Sequence, residues 1–95
     1  PWAAKTGTYT AVAGDRLLVD TSGGAFTITL PASPSAGDEV RFLDVTASFD
    51  TNNLTIGRNS QKINGNAADL TVATESAGFS LVYYNATYGW RYTEA

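Results

Sequence analysis

Apolar residues in this chain come in short runs, and none keeps the i, i+3, i+4, i+7 spacing of an amphipathic helix. Phe26-Thr27-Ile28-Thr29-Leu30 alternates strictly, with Phe26, Ile28 and Leu30 on one face and the threonines on the other, as a half-buried strand does. The same unit returns as Leu54-Thr55-Ile56 and Leu70-Thr71-Val72. Thr8–Val12 reads as an edge strand, and Arg16–Asp20, Glu39–Val45, Phe79–Tyr84 and Trp90–Thr93 as further strands. Turn signals separate them. Ala13-Gly14-Asp15 recurs as Ala36-Gly37-Asp38, 23 residues on, and each copy introduces a strand. Thr21–Gly24 predicts a hairpin, Pro31 and Pro34 end the strand before them, and Asn64-Gly65 is a second hairpin candidate. The pattern predicts an all-β fold, a compact antiparallel β-sandwich or small barrel of eight or nine short strands.

Three of the strands are apolar on both faces. Leu17-Leu18-Val19, Val40 to Val45 and Phe79–Tyr84 lack the polar alternation of an antiparallel sheet with one wet face. Either the outer positions, among them Leu18, Leu43 and Val82, meet another copy of the chain, or bulges and barrel closure re-aim them.

A chain of 95 residues allows one domain with a modest core. The expected division is a linker or arm remnant over residues 1–7 and a single all-β domain over 8–95. The opening Pro1-Trp2, without methionine, is what a piece of a longer polypeptide would show. Thr, Val, Tyr, Phe, Gly, Asn and Ser dominate and strong helix formers are few, which favours strands. Six basic against nine acidic residues give a net charge of −3. In sequence the basic residues are scattered, which argues against a nucleic-acid or anionic-membrane surface. No apolar run approaches the ~20 residues of a membrane helix.

The sequence holds neither cysteine nor histidine, so thiolate chemistry and a Ser-His-Asp triad are excluded. The aspartates at turns and strand ends read as caps of backbone N–H groups rather than as acid–base pairs. No calcium loop and no phosphate-loop motif is present, so no catalytic residue, metal or cofactor is expected and the chain reads as a non-enzyme. The remaining signal is aromatic. Tyr83, Tyr84, Tyr88, Trp90 and Tyr92 crowd the last thirteen residues. Exposed rings with a polar handle suit sugar stacking, and buried ones suit a core or subunit interface. Tyr88, Tyr84 and Trp90 are the candidate surface contacts.

The string from Ala13-Gly14-Asp15-Arg16-Leu17-Leu18-Val19-Asp20 through Phe26–Pro34 to Gly37-Asp38 resembles a small β module of tailed-bacteriophage structural proteins. Asn53–Ile56, Lys62–Gly65, Asp69–Val72, Leu81–Tyr83 and Gly89-Trp90 continue the likeness, which covers residues 8–93 and rests on turn and strand residues. One departure is Asn59-Ser60, where the likeness leads one to expect Asn-Gly. The resemblance, to C-terminal parts of tail fibre and virion appendage proteins including those of cyanophages, implies a homotrimer in the virion. Its implied roles are to cap the fibre, to register the three chains, or to contact a host-surface glycan or protein. Leu18, Leu43 and Val82 are the expected subunit interface. A monomeric carbohydrate-binding module is the alternative.

Overall fold

A computed structural model describes residues 1–94, among which there are nine strands and no helix. Each strand of the sequence reading is present: β2 (Tyr9–Thr10), β3 (Arg16–Val19), β4 (Phe26–Thr29), β5 (Glu39–Asp44), β6 (Leu54–Gly57), β7 (Leu70–Val72), β8 (Gly78–Tyr83) and β9 (Trp90–Glu94). A further strand, β1 (Ala3–Lys5), lies inside the stretch expected to be an arm and pairs with Leu17–Val19. One sheet has the order β1-β3-β5-β8-β9 and the other β2-β4-β6-β7.

The sheets are mixed, which corrects the antiparallel expectation. From β1 to β6 the chain crosses to the other sheet at every step. The β1/β3/β5 and β2/β4/β6 ladders are therefore parallel, and the chain forms three stacked coils. Thr21–Gly24 is accordingly a corner between sheets and not a hairpin, closed by the Gly24 N–H donating to the Thr21 carbonyl at 3.0 Å. Side-chain alternation determines which face is buried but not which strand is the neighbour or in which direction it runs. A parallel neighbour needs a long crossover, here supplied by the passage through the opposite sheet. After β6 the chain reverses, and β6/β7, β5/β8 and β8/β9 are antiparallel.

The repeated Gly-Asp signal builds the same turn twice. Gly14 and Gly37 both adopt φ +91°, a region that favours glycine. Asp15 Oδ2 accepts the Val12 N–H at 2.9 Å, and Asp38 Oδ2 accepts the Ser35 N–H at 2.9 Å. The glycine N–H groups then donate to the next strand of the sheet, Gly14 to the Glu39 carbonyl and Gly37 to the Tyr83 carbonyl, both at 2.8 Å.

Inward residues of both sheets form one core. Leu17, Val19, Val40, Phe42, Phe79 and Leu81 meet Ile28, Leu54 and Ile56, with Leu30, Phe49, Ile63 and Trp90 closing the ends. Phe42 and Phe79 stack with centroids 5.0 Å apart. The radius of gyration, 12.1 Å, matches the ~12 Å of a compact domain of this length.

Asp44 is buried at the end of β5, where its carboxylate accepts the N–H groups of Ser48, Phe49 and Ser76 at 2.9–3.0 Å. Asn64-Gly65 forms the predicted tight turn with both residues at positive φ, bridging Ile63 and Asn66. Asn59 and Ser60 also both take positive φ, +49° and +70°, so the serine occupies a position that suits glycine.

Candidate functional site

Register fixes what the outer face of the five-stranded sheet displays. Ala4, Leu18, Leu43 and Gly78 lie side by side in one row across β1, β3, β5 and β8. Arg16, Arg41, Ser80 and Thr93 form the next row, followed by Glu39, Val82 and Arg91. The pairing runs unbroken through these strands, so the two-sided apolar pattern belongs to a regular sheet and not to a bulge. Leu18, Leu43 and Val82 are half-buried and face outward, while their neighbours Leu17, Phe42 and Leu81 are fully buried inward. Val45, one step beyond β5, adds an exposed apolar residue.

This face is also the most cationic part of the chain. Three of the six basic residues, Arg16, Arg41 and Arg91, share it. Arg16 stands directly beside Arg41, a like-charge juxtaposition that destabilises neighbouring strands. Glu39 Oε2 lies 3.8 Å from Arg41 Nε, a loose surface pair worth little.

The same face ends in the tyrosine loop. Tyr84 is the first residue past β8, two beyond Val82. Its ring stacks on that of Tyr88, with centroids 6.1 Å apart and planes 30° from parallel, and the two are 61% and 51% exposed. The loop between them is pinned. Asn85 Oδ1 accepts the N–H groups of Thr87 and Tyr88 at 3.1 and 3.0 Å. The Gly89 N–H reaches the Asn85 carbonyl at 2.7 Å, and the Gly65 N–H reaches the Tyr88 carbonyl at 3.0 Å. A Cβ on Gly89, which has φ +71°, would overlap the Lys62 carbonyl that accepts the Trp90 N–H.

Trp90 is corrected as a surface contact. It is fully buried, packed edge-on against Tyr83 at 5.4 Å, because β9 turns it inward while Arg91 faces out. Arg91 and the adjoining Asn64-Gly65 turn are the residues that sequence reasoning missed beside Tyr84 and Tyr88. The only available signal was the alternation Trp90-in, Arg91-out.

The carboxylates act as turn caps: Asp15, Asp20, Asp38, Asp44 and Asp69 each accept at least one backbone N–H. The hydroxyl and N–H of Ser22 hold the Asp20 carboxyl below its usual 3.8. The Tyr9 hydroxyl donates to Asp15 Oδ2 at 2.8 Å, and that bond raises the phenol above its usual 10.0. Among the described residues no three acidic groups converge as a metal site, and the surface has no enclosed pocket. The chemistry on offer is that of an open face: an apolar row, three guanidinium groups and a pair of stacked phenols. No protein-family model and no curated protein matches this chain.

Proposed function

We propose that this chain is a structural, trimerising end module of a bacteriophage tail fibre or similar virion appendage, with a role in host-surface contact. The observation that carries the association with copies of itself is the in-register apolar row Ala4, Leu18 and Leu43. That row is flanked by Val45 and Val82 on the outer side of a sheet whose inner side already covers the core. An apolar row left on the outer side of a sheet offers a place for a partner, and identical chains around a three-fold axis supply it. The assignment to a virion appendage rests on the resemblance of the turn and strand residues. The role needs no catalysis, since the aspartates are engaged as caps.

Light scattering at micromolar concentration tests the association. The expected particle has three times the 10.0 kDa mass of one chain. Leu18→Lys with Leu43→Lys should yield folded single chains. A folded monomer of the unaltered chain across that range overturns the trimer. The second reading, a monomeric carbohydrate-binding module, is favoured by one observation, the exposed Tyr84–Tyr88 stack.

A further inference from the structure

The geometry points to a sugar-binding site at Tyr84, Tyr88 and Arg91 whose ligand is a pyranose bearing a carboxylate, a uronic-acid residue of a surface polysaccharide. This inference rests on the reading of the module as one that meets a cell surface, and it names the chemistry of that contact.

Three features converge. First, the ring pair is exposed and the main chain of the loop that carries it is held by hydrogen bonds at Asn85, Gly89 and Gly65. A platform fixed before binding loses little conformational entropy when a ligand arrives. Phenol rings offer an apolar face for the C–H side of a sugar and a hydroxyl for its rim.

Second, amide donors lie on the tyrosine loop and on the turn bonded to it. Asn85 uses Oδ1 for the loop and Asn64 uses Oδ1 for the Tyr92 N–H at 3.0 Å. The side-chain NH₂ groups of both have no hydrogen-bond partner among the described residues, so each remains a donor for a sugar hydroxyl.

Third, a cation reaches the turn that is bonded to the tyrosine loop. Arg91 is exposed, and its guanidinium passes Gly65 on the turn that also holds the Tyr88 carbonyl; a Cβ built on Gly65 would lie 3.9 Å from Nη1. Among the described side chains no carboxylate lies within ion-pair distance of it. A planar guanidinium with no carboxylate partner among the described residues, in a chain of net charge −3, is suited to a carboxylate brought from outside. A neutral sugar would satisfy the rings and amides but leave this group idle.

The site borders the apolar face at Val82, the register neighbour of Arg91, but stands clear of the Leu18 and Leu43 row. Tyr84 lies six residues along β8 from Gly78, the residue level with Leu43, or about 20 Å at the rise of a strand.

The test follows the ring and guanidinium resonances of the full 95-residue chain by NMR. The probes are oligogalacturonate, oligoalginate and oligoglucuronate, each beside its methyl ester, which keeps the ring and removes the charge. The expected result is saturable shifts at Tyr84, Tyr88 and Arg91 for at least one acid form, weakened about tenfold by esterification. Arg91→Gln should bring acid and ester to equal affinity, and Tyr88→Ala should abolish both while Tyr88→Phe retains them. No shift with any of the three acids at millimolar concentration overturns the site, and equal binding of acid and ester overturns the carboxylate. Particle mass measured on the same samples separates the two proposals: saturable binding by a monomer sinks the trimer and leaves this site standing, and a trimer without binding does the reverse.

Discussion

From β1 to β6 the ladders are parallel and the corners between coils are held by carboxylates: Asp15, Asp20, Asp38 and Asp44. From β8 to β9 the ladder is antiparallel, and the neighbouring turns are held by neutral amides, Asn85 for the tyrosine loop and Asn64 for β9. The two regions solve the same problem, satisfying N–H groups where a strand ends, with groups of different charge. A carboxylate makes the stronger cap and adds a proton-sensitive one. An amide cap is indifferent to pH. The acid response of the molecule should therefore show at the Asp20 corner, whose carboxyl is held below its usual value, and not at the amide caps Asn85 and Asn64.

The largest effect should come from Gly89→Ala, which breaks the antiparallel end alone. Positive φ and overlap with the Lys62 carbonyl together should cost about 3 kcal/mol or more, read as a fall in the urea midpoint. Asp44→Ala comes next because this carboxylate joins the regions, binding Ser48 and Phe49 at a coil corner and Ser76 on the approach to β8. Three N–H groups would lose their acceptor, at about 2–3 kcal/mol, and hydrogen exchange should rise on both sides of the join.

The pH profile sharpens the contrast. Asp20 has a folded pKa below 3.8, so its contribution is present above that value and disappears as pH falls through the folded pKa. Tyr9 has a folded pKa above 10.0, so its contribution is present below 10.0 and disappears as pH rises through the folded pKa. Protection from hydrogen exchange, taken relative to the intrinsic rate at each pH, should fall at Ser22 at the acid end and at Val12 at the alkaline end, while that of Thr87 and Tyr88 holds. The smallest effect is a gain: Ser60→Gly relieves a serine held at φ +70° and should stabilise by about 0.5–1 kcal/mol in thermal unfolding.

The strands were legible because alternation and β-branched runs report burial directly, and the turns because Gly-Asp and Asn-Gly supply the positive φ that a tight turn needs. Strand partners were not, since Phe26–Thr29 would alternate identically beside an antiparallel neighbour. The recurrence of Gly14-Asp15 at Gly37-Asp38 was the one sign of stacked coils, because two strands introduced identically run the same way. β1 escaped notice because Ala3-Ala4-Lys5 carries almost no apolar pattern and is held mainly by main-chain pairing. Of the candidate site, Tyr84 and Tyr88 could be read from sequence. Trp90 could not be told from an exposed ring, since only its strand's inward turn separates it from Arg91.

The twin turns at Gly14-Asp15 and Gly37-Asp38 also make the molecule extensible. Each delivers the chain to the sheet in the same pose, so a third would fit as readily as the second. Splicing in one more such segment should lengthen the pile by a single rung, about 4.8 Å, while leaving the tyrosine tip untouched. A ruler with that graduation can be made longer or shorter without redesigning either end.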